Sequence, residues 1–155
     1  MNDKKILIVD DAMTNRALLK KYLEDDYEII EAVNGQEAID IIQEQQLNIS
    51  LVLLDLVMPV KNGFDVLKFM GDYGFIPEIP VIIITVEANY ESEMKAFEYG
   101  VRDFVAKPFY PQIVRKRVKN ILDLYETQKN LRQLLDEQTL DTMELVDQIE
   151  QMSSN

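Results

Sequence analysis

Five side chains of complementary chemistry stand where the apolar runs of this chain stop. Asp10 and Asp11 follow Ile6 to Val9, Asp55 follows Ile49 to Leu54, Thr85 closes Pro80 to Thr85, and Lys107 follows Val101 to Ala106. Singly, each has an ordinary explanation. An acidic pair ahead of a helix caps it and meets its dipole, an aspartate after a strand is a loop residue, a threonine suits a strand, and a lysine before proline is solvated. As a set they do more. Three carboxylates in one place repel one another unless a cation joins them, and donors that are all oxygen favour a hard ion such as Mg²⁺. A metal-neutralised carboxylate beside a lysine and a hydroxyl suits phosphoryl transfer, where catalysis is positioning and electrostatic stabilisation. In that chemistry Asp55 is the nucleophile and forms an acyl phosphate. Mg²⁺, Lys107 and the Thr85 hydroxyl then take one phosphoryl oxygen each.

Composition removes most competing chemistries. The 155 residues include no histidine and no cysteine. Histidine-dependent triads, imidazole metal sites, thiolate zinc sites, cysteine nucleophiles and disulfides are therefore excluded. Lys plus Arg is 16 against 28 for Asp plus Glu, a formal charge of -12. Phosphate backbones and anionic membranes would repel such a chain, so neither nucleic acid nor membrane is an expected direct partner. The N-terminal run is too short, and too soon followed by acid, for a signal peptide. Apolar runs such as Val81 to Ile84 fall far below membrane-spanning length. A cytoplasmic protein is expected.

The elements that must carry these five residues alternate along the chain. Strands are expected over Ile6 to Val9, Tyr27 to Val33, Ile49 to Leu54, Pro80 to Thr85 and Val101 to Ala106. Helical periodicity marks Ala12 to Leu23, Gln36 to Gln46, Phe64 to Met70 and Tyr90 to Tyr99, the last with Met94 and Phe97 inward and Gly100 as its left-handed cap. Asn34-Gly35 and Asn62-Gly63 read as turns. This ordering predicts an α/β fold: a flavodoxin-like, doubly wound, five-stranded parallel sheet of order 2-1-3-4-5 with an extended C-terminal helix. Ligands of such sheets gather outside the carboxyl ends of the strands at the switch point. With the order 2-1-3-4-5, strands one and three are neighbours, and Asp10, Asp11 and Asp55 would converge there, flanked by Thr85 and Lys107.

Beyond Pro111 the chain changes character. From Gln112 to about Met152 it contains neither glycine nor proline. Ile121, Leu124, Gln128, Leu131, Leu135, Gln138, Thr142, Leu145, Ile149 and Met152 are spaced alternately by three and four, which makes a candidate coiled-coil seam. Ile113, Val114, Val118 and Ile121 are expected to pack on the sheet, and a single helix over the whole stretch would be about 60 Å long. The expected division is a domain over residues 1–124 and a helical extension over 125–155. That extension is a candidate coiled coil, with a homodimer as the expected assembly, or a linker to an output domain.

The segments ILIVDD (Ile6 to Asp11), LVLLDLVMP (Leu51 to Pro59), Asn62-Gly63, PVIIIT (Pro80 to Thr85) and DFVAKPF (Asp103 to Phe109) closely resemble the receiver domain of bacterial two-component response regulators. The resemblance covers roughly residues 4 to 124. It implies that Asp55 is the phosphoacceptor and that Asp10 and Asp11 hold Mg²⁺, with Asp11 and the Val57 backbone carbonyl as direct ligands beside Asp55. It implies phosphoryl contacts from Thr85 and Lys107, a switch in which Phe104 follows Thr85, and a cis Lys107-Pro108 bond. A histidine kinase or phosphotransfer protein would be the phosphoryl donor, and the domain would act as a signalling phosphoacceptor rather than an enzyme. Val86 and Val57 depart from the usual pattern, pointing to restricted access and a slowly decaying phosphoryl state. Two rivals remain: a receiver-like dimerisation scaffold that ignores phosphorylation, and a metal-dependent phosphohydrolase with an aspartyl nucleophile. The second wants an acid two residues after Asp55, where Val57 stands. A flavin- or nucleotide-binding protein would want a glycine-rich loop after the first strand, where this chain has an acidic pair.

Overall fold

The structure, a computed structural model, describes residues 3–154. Strands β1 (Lys5–Val9), β2 (Glu28–Ala32), β3 (Leu51–Leu54), β4 (Val81–Thr85) and β5 (Asp103–Ala106) alternate with helices α1 (Met13–Leu23), α2 (Gly35–Gln45), α3 (Gly63–Asp72), α4 (Tyr90–Tyr99) and α5 (Pro111–Ser153). The strands form one parallel sheet, as the alternation predicts, in the expected order β2-β1-β3-β4-β5.

Side chains of the central strands explain why they are central. Ile6 to Val9, Leu51 to Leu54 and Val81 to Thr85 are all buried, which is what a strand covered by helices on both faces requires. Each fully buried aliphatic side chain contributes roughly 1.5–3 kcal/mol. The outer strands carry charge at their rims: Glu28 and Glu31 on β2 are exposed, and Asp103 on β5 is partly so. Register then sets the height of the functional residues. Val9 pairs with Leu54, so the next residues, Asp10 and Asp55, emerge side by side. Thr85 pairs with Ala106, so Lys107 follows immediately on the neighbouring strand.

Three asparagines start helices. Asn34, Asn62 and Asn89 accept hydrogen bonds from the backbone N–H groups of Glu37, Asp65 and Ser92 at 2.8, 3.0 and 2.9 Å. Asp65 returns the favour at α3 by accepting from the Asn62 N–H at 3.0 Å, completing a capping box. Asn34-Gly35 and Asn62-Gly63 are therefore helix starts, not the turns their composition suggests, and each cap stabilises its helix by about 1 kcal/mol. Gly100 closes α4 at φ +99, as expected of a left-handed cap.

The inward face of α4 differs from expectation. Met94 and Phe97 are 45% and 44% exposed, while Ser92 and Ala96 are buried. The buried side of α4 is thus made of small side chains, and the larger apolar ones lie outside it. On α5, Val114 and Val118 are buried as expected, but Ile113 is half exposed. β3 begins at Leu51 because a 3-10 turn, Gln46–Asn48, occupies the chain just before it. Val101 is buried but lies in the loop ahead of β5.

The chain forms two compact units, one ending at Ile121 and the other beginning at Leu122. Within the second unit the helix continues to Ser153, and Leu124, Leu131, Leu135, Leu145, Ile149 and Met152 are all more than half exposed. Among the described residues, no helix is long and apolar enough to cross a membrane.

Among the described residues, two that are not glycine have positive φ, Gln46 at +50 and Val60 at +68. Val60, in the β3–α3 loop, has φ +68 and is 78% exposed, so a β-branched residue holds a left-handed conformation with no packing in return. Val60→Gly is expected to stabilise the chain by about 1 kcal/mol, the relieved strain exceeding the added entropy of the unfolded chain. Urea denaturation would show a higher midpoint at unchanged slope, whereas an unchanged midpoint would mean that the strain only balances the added entropy of the unfolded chain.

Candidate functional site

At the carboxyl ends of β1, β3 and β5, one ammonium group meets two carboxylates. Lys107 Nζ donates to Asp10 Oδ2 at 2.7 Å and to Asp55 Oδ2 at 2.8 Å. The two acids are 3% and 4% exposed, and the lysine side chain is 11% exposed. Their remaining oxygens are held by the backbone. Asp10 Oδ1 accepts from the Ala12 N–H at 2.9 Å, and Asp55 Oδ1 accepts from the Val57 N–H at 3.1 Å. Burial by itself lowers the pKa of Lys107, but the hydrogen bonds and charges of Asp10 and Asp55 outweigh it and hold the group above its ordinary value. The ammonium is thus protonated at neutrality. Its contribution is complete below the unfolded value of about 10.4 and fades only as pH climbs through the raised folded value.

Asp11 completes an acidic cluster on the solvent side. One carboxylate oxygen from each of Asp10, Asp11 and Asp55 lies within 4.8 Å of the others. Asp10 and Asp11 do not cap α1, whose first residue is preceded by Ala12 with no side-chain cap. The cap explanation for the pair therefore fails. The donor set fits a hard divalent ion. It is all oxygen, one lysine leaves net negative charge among three acids, and exposed Asp11 leaves a side open for the waters that Mg²⁺ retains.

The other expected residues are placed as follows. Thr85 is fully buried at the end of β4, and its Oγ1 accepts from the Glu87 N–H at 3.2 Å. Val57 is 47% exposed and Val86 67% exposed, both at the mouth of the loops that follow β3 and β4. Phe104 is partly buried against the core from β5, opposite Ile83. The Lys107-Pro108 peptide is cis.

Two contributors escape a reading of the sequence. Arg16 on α1 donates from Nη1 to the Asp10 carbonyl at 2.8 Å and from Nε to Glu31 Oε1 at 3.2 Å, tying the β1–α1 loop to β2. A basic residue inside an amphipathic helix gives no hint of this. Gly63 lies directly behind Asp55: a Cβ there would collide with the Asp55 carbonyl oxygen and come within 2.8 Å of Leu56 Cα. The Gly63 N–H in turn donates to the Leu56 carbonyl at 3.0 Å. A glycine after asparagine reads as a turn, and only the fold reveals the close approach.

Comparison with known proteins gives a consistent family. The profile described as response regulator receiver domain matches residues 6–119. The transcriptional regulatory protein ResD of Bacillus subtilis (strain 168) is 39% identical over 122 residues, covering 78% of this chain and 49% of its own length. SrrA of Staphylococcus aureus (strain NCTC 8325 / PS 47), also a transcriptional regulatory protein, is 40% identical over 119 residues, covering 76% and 47%. The chain thus spans about half the length of the curated relatives it matches. Among solved structures, a CheY-like response regulator receiver domain from Methanospirillum hungatei JF-1 superposes with a TM-score of 0.74 at 28% identity, covering 81% of this chain and 98% of that one. A CheX-CheY-BeF3-Mg+2 complex from Borrelia burgdorferi gives 0.71 at 26% identity, covering 76% and 88%. The match over most of the chain, on a sheet of the same topology, leaves one conclusion: this chain belongs to the response regulator receiver domain family, whose members are phosphorylation-based signalling domains rather than classical enzymes.

Proposed function

We propose that Asp55 accepts a phosphoryl group from a histidine kinase or phosphotransfer protein, with Mg²⁺ bound, and that the resulting change controls a partner or an output domain. The observation that carries this reading is the single ammonium of Lys107 shared between Asp10 and Asp55 at 2.7 and 2.8 Å beside a third acid. An Asp55 oxygen attacks phosphorus as the bond from phosphorus to the donor's imidazole nitrogen breaks, and the imidazole leaves with its electron pair. Asp10, Asp11, Asp55 and the Val57 carbonyl would hold the ion, Asp11 and the carbonyl directly. Bound there, Mg²⁺ neutralises charge on the acids and on one phosphoryl oxygen. Lys107 is already within reach of the reacting oxygen and can follow it onto the phosphoryl group. The Thr85 hydroxyl accepts from the Glu87 N–H and can still donate its own hydrogen to a phosphoryl oxygen, and a shift of Thr85 toward that oxygen would draw the β4–α4 loop inward. Phe104, opposite Ile83 on β5, would adjust to that movement.

The Borrelia burgdorferi complex supports the reading, since a relative of this fold is found there with BeF3 and Mg+2. We assign residues 1–124 to the receiver and 125–155 to a helical extension that pairs with a second copy and transmits the change. The direct test is intact mass after incubation with acetyl phosphate and Mg²⁺. A gain of one phosphoryl mass is expected, lost in Asp55→Asn and after chelation of the metal. No gain by the folded parent chain would return the phosphorylation-independent scaffold. Gain followed by continuous turnover of acetyl phosphate would point instead to a phosphohydrolase.

A further inference from the structure

The second unit presents a long exposed helix, and its sequence specifies how two copies of it align. We infer that Leu122 to Met152 forms a parallel, in-register two-stranded coiled coil with a second copy of this chain, its register set by two glutamine layers. The inference rests on the reading that this helix pairs, and adds orientation and alignment to it. In heptad positions, Ile121, Gln128, Leu135, Thr142 and Ile149 are at a, and Leu124, Leu131, Gln138, Leu145 and Met152 at d.

Charge sorting points to a like partner. Asp136, Glu137, Glu144, Asp147 and Glu150 all fall at b, c or f, away from the seam. Only Arg132 at e and Asp141 at g lie beside it. A partner chosen by opposite charge would be read through charged e and g positions, and here they are mostly Thr, Gln, Leu, Val and Tyr. In a parallel pair the g-to-e′ neighbours are Thr127 with Arg132, Leu134 with Thr139, Asp141 with Val146, and Gln148 with Ser153, so no like charges meet.

The polar seam residues decide orientation. Thr142 donates its hydroxyl to the Gln138 carbonyl at 2.9 Å, so its polarity is satisfied within its own helix. Gln128 and Gln138 have long amides that need a partner once the seam closes, and facing leucine would leave them unsatisfied. In register and parallel, each meets its own copy. The antiparallel alignment that matches Gln128 with Gln138 sets Ile149 opposite Arg117 and Met152 opposite Val114. Those positions are already engaged: Arg117 bonds Asp103 at 2.9 Å, and Val114 is 1% exposed. That arrangement strands the last apolar layers, whereas the parallel one uses them all.

The absence of cysteine makes the test clean. Single-cysteine variants Leu124→Cys and Leu145→Cys place a thiol at two d positions three heptads apart. Each variant, carried in the 155-residue chain and oxidised under mild conditions, is expected to form a disulfide with its own copy at high yield. A mixture of the two should give the mixed disulfide at least tenfold less than either. The parent chain should sediment at twice its monomer mass, and Leu131→Asp combined with Leu135→Asp should return a folded monomer. A dimer in which either cysteine fails to cross-link with its own copy overturns the parallel register and leaves helix pairing intact. A monomeric parent chain, or a dimer that survives the double aspartate variant, overturns the pairing itself.

Discussion

Gly63→Ala is expected to lose about 3 kcal/mol of stability and most of its phosphoryl uptake, although a methyl group is all that is added. The new Cβ would overlap the Asp55 carbonyl oxygen and approach Leu56 Cα to 2.8 Å. Both are backbone atoms at the end of a fully buried central strand, so neither can move aside as a side chain can. The strain must be relieved by pushing β3 away from α3 or by breaking the bond from the Gly63 N–H to the Leu56 carbonyl. Either movement shifts Asp55 relative to Lys107, and a displacement of about 1 Å at a reacting group costs roughly a hundredfold in rate.

Gly71→Ala supplies the internal comparison. Gly71 lies in the same helix, and a Cβ there meets nothing within 4 Å. Alanine should stabilise α3 by about 0.5 kcal/mol through its better helix propensity, with phosphoryl uptake unchanged. Paired urea denaturation and acetyl phosphate mass measurements separate the two cases. Equal stability of the two alanine variants would show that α3 sits back from Asp55 and that Gly63 positions nothing.

The contrast explains what was legible in the residues alone. Alternating apolar runs marked the parallel strands, and strand ends named Asp10, Asp11, Asp55, Thr85 and Lys107, because buried parallel strands have a strong one-dimensional signature. The order of the strands is not in that signature, and the convergence of Asp10, Asp11, Asp55 and Lys107 followed only on the condition that it is 2-1-3-4-5. Features set by facing surfaces were not legible. Arg16 reaches the Asp10 carbonyl only because α1 folds back on β1. Gly63 matters through a contact across the chain, and α4 buries Ser92 and Ala96 rather than its larger apolar residues, a choice of face that the apolar spacing did not indicate. Asparagine-glycine pairs were ambiguous for a further reason: the same two residues serve a turn or a helix start, and only the N–H groups of Glu37 and Asp65 distinguish the outcomes.

Lys107→Met should destabilise the metal-free chain by about 3 kcal/mol and should make it more responsive to magnesium than the parent. Methionine preserves much of the aliphatic bulk, so the effect isolates the charge. In the parent, one ammonium lies between two nearly buried carboxylates, with a third carboxylate oxygen inside the same 4.8 Å cluster. Removing one partner of a buried ion pair costs about 3–5 kcal/mol, because the remaining charge has lost water as well as its counterion. The lower end applies here, since the lysine is 11% exposed and Asp11 opens the cluster to solvent. A divalent ion can then take the place of the missing ammonium beside the three acids. Binding to the folded state at a hundredfold excess over the dissociation constant adds about 2.7 kcal/mol, and the added stabilisation should be larger where no ammonium competes. Urea denaturation of both chains, with and without MgCl₂, measures the difference. Equal midpoints without metal would remove Lys107 from the electrostatics of the cluster. A destabilised variant stabilised by magnesium no more than the parent would show that lysine and ion do not compete, and no magnesium effect on either chain would deny the three carboxylates a role in holding the ion.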